Sequence, residues 1–137
     1  MKRTSINPSQ WGLAYKMDQG EVLQGTTRHL RCSGQVALKE DPDSELGVSV
    51  ECPGDIAGQM GIALSRIDEI LEQADMTRAN VVSLRFFTTD MDGFLANYEV
   101  YSNWISEAGT CPPQSLLGID RLVLPELLVE IEAEASA

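Results

Sequence analysis

The strongest hydrophobic pattern in the chain follows Asp55. Apolar side chains recur there every three or four residues, which predicts one amphipathic helix from Asp55, its N-cap, to about Ala74. The apolar stripe consists of Ile56, Met60, Ala63, Leu64, Ile67, Ile70, Leu71 and Ala74. The solvent-exposed face is expected to carry mainly Gln59, Arg66, Asp68, Glu69 and Glu72.

A second helical pattern runs from Asp92 to about Ala108 and stops at Gly109. The polar residues at positions 88–90 offer caps for its first turn. Its apolar stripe consists of Phe94, Leu95, Tyr98, Tyr101, Trp104, Ile105 and Ala108.

Strand patterns flank these helices. Val81–Thr88 is rich in β-branched and aromatic residues and predicts a strand. Alternating residues predict another over His29–Leu38, where Gly34 indicates a bulge or the close approach of another group. The other N-terminal predictions are a loosely held start at residues 1–10, two short extended segments in Trp11–Thr27 around a turn at 18–20, and a solvated loop at Lys39–Gly47.

Two apolar runs end the chain, Leu116–Leu124 and Leu127–Ala133, and Pro125 separates them. Each has the length of a strand. The second alternates between two faces, one with Leu127, Val129 and Ile131 and the other with Leu128, Glu130 and Glu132. A carboxylate in so apolar a strand is costly to bury without a partner. Glu130 is therefore expected to face water, a cationic partner or a site.

The predicted order is three strands, a helix, a strand, a helix and two strands, with no internal repeat or linker. This predicts a single α+β domain over residues 1–137, a two-layer arrangement with two helices on one face of one mixed sheet. Apolar residues fall on both strand faces, in the pairs Phe86–Phe87, Leu116–Leu117 and Leu127–Leu128. Because two helices cover only one face, we expect oligomerisation with closed symmetry to cover the other.

The composition of the chain excludes several classes of binding partner. The 137 residues carry a formal net charge of −11, and the basic residues are scattered. Both features argue against nucleic acid and against an anionic membrane surface. No apolar run approaches the roughly 20 residues of a membrane span, and no secretory signal is visible. Three cysteines without CxxC spacing and one histidine predict free thiols, no metal centre and a cytoplasmic location.

Few residues indicate chemistry by themselves. No Gly-rich phosphate loop, HExxH or GxSxG motif occurs. The DMDG segment at 90–93 fits helix capping better than a metal site, and His29 and Cys111 fit structural roles. Glu130 and Glu132 could supply a general acid or base in dry surroundings. A solvated strand face explains this pair equally well.

An ordered series of short motifs runs from about residue 12 to residue 135. It comprises Ser33-Gly34-Gln35, Gln59, Ala63-Leu64, Ile67, Phe87-x-Thr89-Asp90-Met91, Phe94, Tyr101-x-x-Trp104, Pro112 to Ser115, and Val129-Glu130-Ile131-Glu132-Ala133. The series resembles the Rid family of reactive-intermediate deaminases, also called the YjgF family. The terminal VEIEA combined with the upstream FxTDM is its most specific part.

The resemblance implies a chorismate-mutase-like α+β fold and a homotrimer whose sheets line a central barrel with the helices outside. It also implies three clefts, one at each subunit interface, in which small ligands bind. In the best-known branch, imines and enamines are hydrolysed there to 2-oxo acids and ammonia without cofactor or metal. An arginine binds the substrate carboxylate, and a glutamate on the last strand, with backbone groups near a glycine, positions water.

Carried over by position, the resemblance makes Gly34 the glycine and Glu130 the glutamate. Gln114 stands where the carboxylate-binding arginine is expected, in Pro112-Pro113-Gln114-Ser115. Leu116 replaces a usual cysteine, and Tyr98 replaces a usual helix asparagine. The chain therefore resembles a branch of the family that lacks the arginine.

This replacement predicts a different ligand. Losing a guanidinium–carboxylate contact removes roughly 1.5–3 kcal/mol of binding, and Gln114 offers a neutral donor and acceptor instead. Tyr98 and Leu116 add aromatic and apolar surface to the cleft. Together with Gln114, they predict a bulkier, less charged ligand than the usual 2-imino acids. Arg31 and Arg121 are candidate replacement cations, although surface or interface salt bridges explain both. A non-enzymatic ligand-binding or regulatory trimer and a specialised-pathway enzyme remain alternatives.

Overall fold

A computed structural model describes all 137 residues. The strands are β1 (Lys2–Ile6), β2 (Gly20–Gln24), β3 (His29–Arg31), β4 (Leu38–Glu40), β5 (Val48–Val50), β6 (Val81–Thr88), β7 (Gln114–Gly118) and β8 (Val129–Ser136). The α-helices are α1 (Ile56–Gln73), α2 (Met91–Ala96) and α3 (Glu99–Ser106). Two 3₁₀ helices lie at Trp11–Tyr15 and Arg78–Asn80.

Four strands form the main sheet, in the order β3, β8, β6 and β7. β8 runs antiparallel to both of its neighbours, whereas β6 and β7 are parallel. The predicted mixed sheet is therefore confirmed, and β6 has the predicted bounds. The other strands form two separate antiparallel pairs, β1 with β2 and β4 with β5, whereas the sequence predicted a single sheet.

The N-terminal predictions are wrong in two places. Residues 2–6 are not loosely held but form β1, since Arg3 pairs with Glu21 of β2 at 2.8 Å and donates to the carbonyl oxygen of Val81 at 2.8 Å. The segment Trp11–Tyr15 is a 3₁₀ helix rather than an extended segment. Only the second of the two predicted extended segments exists, as β2.

The strand predicted over His29–Leu38 is interrupted. β3 ends at Arg31, and the chain returns to β8 for one isolated pairing of Gln35 with Ile131. The interruption contains Gly34, where the sequence indicated a bulge or a close approach. The loop predicted over Lys39–Gly47 is correct except at its start, because β4 extends to residue 40.

Helix α1 confirms the first predicted helix, with Asp55 as its N-cap. The expected exposure of Gln59 is wrong, because this residue is 0% exposed. Its Nε2 donates to the carbonyl oxygens of Cys52 at 3.2 Å and Glu126 at 3.0 Å, and its Oε1 accepts from the backbone N–H of Leu128 at 2.8 Å. These three bonds tie α1 to the segment that leads into β8.

The second predicted helix exists as two helices. The break falls between α2 and α3, where the Asn97 side chain donates to the carbonyl oxygen of Gly93 at 2.8 Å. Such side-chain bonds compete with the backbone pattern of a continuous helix. Asp90 caps α2, as expected from its position. None of the helices combines the length and the apolar character needed to cross a lipid bilayer.

The main core lies between the helices and one face of the sheet. Val129, Ile131 and Ala133 of β8 point into it, and the first two share one strand face as predicted. Leu127, predicted on the same face, is buried in a smaller cluster with Ala37 and Leu122. The opposite face, called the uncovered face below, carries Glu130, Glu132 and Glu134 of β8, Ser83, Arg85 and Phe87 of β6, and Leu117 of β7. It is more polar than the apolar pairs suggested. Only Phe87 and Leu117, which pair in register, are large apolar residues there.

Candidate functional site

The six residues predicted for the site form two groups on opposite faces of the main sheet. Leu116 pairs in register with Phe86 and lies on the helix side of the sheet, together with Gln114 and Tyr98. Glu130 pairs in register with Phe87 and lies on the uncovered face. Gly34 and Arg31 accompany Glu130 there. One chain therefore brings Gln114, Tyr98 and Leu116 together, and Gly34 against Glu130, but it does not join the groups. Arg31 shares the face of Glu130 and lies opposite Glu134, four residues further along β8.

The helix-side group lines a cavity of about 300 Å³, called the apolar cavity below. One wall consists of Phe86, Leu95, Tyr98, Gln114 and Leu116. The other consists of Trp11, Tyr15 and Met17, which no sequence motif had indicated as site residues. The helical spacing of Trp11 and Tyr15 in WGLAY was the available signal. No charged residue is among the eight that line the cavity.

A short hydrogen-bond chain fixes the polar end of this cavity. Tyr98 donates its hydroxyl proton to the carbonyl oxygen of Tyr15 at 2.8 Å. Burial raises the pKa of Tyr98, so the phenol remains a neutral donor. The Nε2 of Gln114 donates to the Tyr98 hydroxyl and to the Tyr15 carbonyl oxygen, the latter at 3.4 Å. The Oε1 of Gln114 is buried and accepts no hydrogen bond.

The wall that contains Trp11 is held firmly in place. A Cβ on Gly12 would lie 2.8 Å from the carbonyl oxygen of Met17, so only glycine permits this tight turn. Asp18, which is 4% exposed, accepts hydrogen bonds from Ser5 at 2.6 Å and Asn7 at 2.7 Å. These bonds anchor the end of the turn to β1.

On the uncovered face, the side chain of Glu130 packs against the backbone of Gly34. A Cβ at position 34 would lie only 2.5 Å from the carboxyl carbon of Glu130. Burial, and secondarily the charge of Glu132, raises the pKa of Glu130. The Glu130 carboxyl has neither a hydrogen-bond partner nor an ion pair within its own chain. Such a carboxyl holds a proton more readily than an ordinary glutamate, which suits a general acid or base.

The comparison with known proteins decides the family. The family model described as Endoribonuclease L-PSP matches residues 20–137. The chain belongs to the Endoribonuclease L-PSP family. This is the YjgF or Rid family, so the resemblance seen in the sequence is confirmed. The residues 11–17 that form one wall of the apolar cavity precede the matched part.

Individual relatives and solved structures agree with this assignment. The chain is similar to mitochondrial protein mmf2 of Schizosaccharomyces pombe, with 29% identity over all of this chain and 98% of that protein. It is 29% identical to TdcF of Escherichia coli, named a reactive intermediate deaminase, over 62% of this chain and 66% of that protein. The crystal structure of the Rid-family protein YyfB of Yersinia pestis matches with a TM-score of 0.81 and 26% identity, covering 100% of both chains. The α+β fold is therefore that of the Rid family.

The candidate replacement cations of this Rid-family protein lie in different places. Arg31 lines a cavity of about 410 Å³ on the uncovered face, together with Arg85, Glu132 and Glu134. Arg121 lines neither this cavity nor the apolar cavity. Arg85, which no sequence motif had indicated as a candidate cation, pairs with Glu132 at 3.4 Å. It also lines a third cavity, of about 440 Å³, that shares Trp11, Met17 and Gln114 with the apolar cavity.

The other residues considered in the sequence have structural environments. His29 lies 2.8 Å from the Ser136 hydroxyl through Nδ1 and 3.3 Å from Glu134 through Nε2. Burial raises the pKa of Cys111, which makes its thiolate less accessible. The three cysteines are free. These features agree with the structural roles expected for His29 and Cys111.

We expect Glu130→Gln to gain stability over the natural protein as pH rises. A carboxyl with a raised pKa in the folded state binds its proton more tightly when folded. Its contribution to the free energy of unfolding is therefore most favourable below the unfolded pKa of about 4.3 and declines through the folded pKa. Glutamine does not titrate. Urea unfolding of both proteins between pH of about 4 and 8 measures the difference. A difference that stays constant with pH, or favours glutamate as pH rises, would contradict the assigned pKa direction.

Proposed function

We propose that this Rid-family chain is a cytoplasmic homotrimer whose intersubunit clefts bind a small metabolite and hydrolyse an imine or enamine to a carbonyl compound and ammonia. The observation that carries the proposal is the Glu130 carboxyl, which has a raised pKa, lacks a partner in its own chain and lies against Gly34. No cofactor or metal takes part in this reaction. Three free cysteines support a reducing compartment such as the cytoplasm.

In the proposed reaction, Glu130 acts as general base and then as general acid. Water adds to the carbon of the protonated C=N bond while Glu130 accepts a proton from the water, which gives a neutral carbinolamine. Glu130 returns this proton to nitrogen, ammonia leaves, and the hydroxyl proton passes to the departing ammonia or to solvent as C=O forms. An enamine enters the same route after protonation at carbon. The backbone at Gly34 is the neighbouring surface against which water is positioned.

The division of the site supports a trimer. Gln114, Tyr98 and Leu116 lie on one face of the sheet, and Glu130 lies on the other. A neighbouring subunit that covers Phe87 and Leu117 would bring one half-site of each chain towards the complementary half-site of the next. Light scattering at micromolar concentration is expected to give three times the 15.0 kDa chain mass. A monomer mass would refute the trimer.

The rival proposal is a non-enzymatic ligand-binding or regulatory trimer, and Gln114 is the feature that favours it. Glutamine does not provide the cation that the best-known branch uses for a substrate carboxylate. A specialised-pathway enzyme that acts on a bulkier, less charged substrate is the third reading, and the apolar cavity favours it. The net charge of −11 argues against nucleic acid as the ligand in each case.

An imine-decay assay tests the catalytic proposal. Imines are generated in situ by an amino-acid oxidase or an amine oxidase acting on substrates of different size, and their loss is followed with and without this protein. Faster decay with the protein is expected for at least one bulky imine. If no imine decays faster, the deaminase proposal fails and the binding proposal gains support.

We expect Gly34→Ala to impair hydrolysis more than stability. The added Cβ meets the flexible carboxyl end of Glu130, which can swing aside without unfolding the chain. The imine-decay rate should fall about tenfold or more, while the free energy of unfolding changes by less than about 1 kcal/mol. Gly61→Ala is the matched control, since a Cβ at Gly61 meets nothing within 4 Å. Gly25→Ala is unsuitable as a control, because Gly25 has a positive φ of 76°. Equal rates for Gly34→Ala and Gly61→Ala would contradict the role of Gly34.

A further inference from the structure

The third cavity, of about 440 Å³, is called the edge cavity below because it lies at the edge of the main sheet. β7 is the last strand of that sheet. Gln114 of β7 lines this cavity from the helix side, whereas Arg85 and its register partner Ser115 line it from the uncovered face. Trp11, Met17 and Gln114 also line the apolar cavity, so the two cavities are neighbours. Arg85 therefore lies beside the apolar cavity, around the edge strand.

Arg85 is the one cation that lines either of these two cavities. The apolar cavity has no charged residue, and its polar groups are the neutral side chains of Gln114, Trp11 and two tyrosines. The edge cavity adds two charged residues, Arg85 and Asp18. Asp18 is 4% exposed, and its carboxylate already accepts two side-chain hydrogen bonds. The Arg85 side chain is 54% exposed, so a ligand can reach its guanidinium.

The guanidinium of Arg85 has donors left for a ligand. Its Nη1 lies 3.4 Å from Glu132, and its Nε and Nη2 make no hydrogen bond in the chain. Arg78, by contrast, forms two bonds of 2.7 Å with Asp68. Charge-assisted bonds of this kind are usually about 2.7–2.9 Å long, so the contact with Glu132 is weak. The free Nε and Nη2 groups of an arginine match the two oxygens of a carboxylate.

We infer that Arg85 binds a carboxylate of the ligand while the aromatic or alkyl part of the same ligand occupies the apolar cavity. Arg85 and Gln114 lie on opposite faces of the sheet, so the ligand needs a chain between the carboxylate and the group at Gln114. In a 2-imino acid the carboxylate is attached directly to the imine carbon, which leaves no length to pass around β7.

This inference rests on the proposed function, since it names the substrate class of the same cleft. That class is an imine or enamine with an apolar substituent and a carboxylate several bonds away from the reacting carbon. It keeps the bulkier ligand that Gln114, Tyr98 and Leu116 predict, and it returns one negative charge to that ligand.

Phenylalkanoates of increasing chain length test the inference by equilibrium binding. Benzoate, 3-phenylpropionate and 4-phenylbutyrate are each compared with the corresponding neutral amide. NMR titration follows the indole N–H signal of Trp11, which lines both cavities and is assigned with a Trp11→Phe variant. We expect the preference for carboxylate over amide to be about fivefold greater for 4-phenylbutyrate than for benzoate. A preference that does not grow with chain length, or no binding of 4-phenylbutyrate, would overturn the inference.

Loss of the cation tests whether Arg85 causes this preference. Arg85→Gln is expected to remove the preference and to change amide binding by less than about twofold. Lys39→Gln is the matched control, because it makes the same charge change at an exposed residue that lines neither cavity. If Arg31→Gln removes the preference and Arg85→Gln does not, the anion binds in the cavity of about 410 Å³ and the inference fails.

Loss of the competing carboxylate gives the opposite effect. Glu132→Gln is expected to tighten 4-phenylbutyrate binding about twofold or more, because it frees Nη1 of Arg85. Glu134→Gln removes the same charge from a residue that does not line the edge cavity, and it should leave the binding unchanged. Equal tightening by both variants would mean that the total charge of the face, rather than Arg85, controls binding, and it would contradict the inference.

The outcomes separate this inference from the proposed reaction, because none of the probes contains a C=N bond. If 4-phenylbutyrate binds as expected while no imine decays faster, the role of Arg85 stands and the deaminase proposal fails. If imines are hydrolysed but the carboxylate preference does not grow with chain length, the reaction stands and the role of Arg85 fails. Folding of each variant is checked by its thermal unfolding midpoint before titration.

Discussion

Replacing Gln59 with alanine is expected to lower the free energy of unfolding by about 3–5 kcal/mol. The Gln59 side chain is completely buried and makes three hydrogen bonds to backbone groups of Cys52, Glu126 and Leu128. Alanine would leave the carbonyl oxygen of Glu126 and the N–H of Leu128 without their partners, whereas the carbonyl oxygen of Cys52 keeps its bond from the Asp55 N–H. Each buried group that loses its partner costs about 1–3 kcal/mol. The cavity created in the core adds to this loss.

A matched glutamine on the same helix provides the control. Gln73 ends α1 and is exposed, so Gln73→Ala should change the free energy of unfolding by less than about 0.5 kcal/mol. Urea unfolding measures both variants at one protein concentration, because the apparent stability of an oligomer depends on it. A cost below about 1 kcal/mol for Gln59→Ala would show that the three bonds add little to stability.

The burial of Gln59 could not be predicted from the sequence of α1 alone. Position 59 lies three residues after Ile56 and four before Ala63, so its spacing places it on the apolar side of α1. Its polar amide nevertheless led to the prediction that Gln59 lies on the exposed face. The partners that make its burial possible come from distant loops, including residues that precede β8. A local pattern does not contain that information.

The same distinction between local pattern and tertiary contact explains which other elements were predicted correctly. The composition of Val81–Thr88 predicted β6 correctly, because a buried central strand depends mainly on its own residues. The 3₁₀ helix at Trp11–Tyr15 depends on the close approach of Gly12 to Met17, and its end is held by the burial of Asp18. Those contacts are tertiary, so alternation and turn composition predicted the wrong element.

The candidate site was predictable in part. The family motifs singled out Gln114, Tyr98 and Leu116, and the structure places all three around one cavity. Arg85 was missed because alternation along β6 does not reveal that β7 and β8 are its neighbours. The opposite faces of Gln114 and Glu130 follow from register. Register between distant strands is set by the whole fold.

Replacing Glu130 with glutamine is expected to reduce the rate of imine hydrolysis by about 10²–10³-fold. Glutamine keeps the size of the side chain against Gly34, but it neither accepts a proton from water nor returns one to nitrogen. Imine decay is measured across pH for both proteins. The natural protein should lose activity at low pH as Glu130 is protonated, and this limb should lie above the usual range of a glutamate because the pKa of Glu130 is raised.

Glu132→Gln is the matched control, since Glu132 lies on the same face two residues along β8 and pairs with Arg85. Its rate should fall by less than about tenfold. The charge of Glu132 contributes to the raised pKa of Glu130, so its removal should move the acidic limb of the pH profile to lower pH. An effect of Glu132→Gln as large as that of Glu130→Gln would mean that the acidic face acts through its total charge. Equal rates for Glu130→Gln and the natural protein would remove Glu130 from the reaction and favour the non-enzymatic binding trimer.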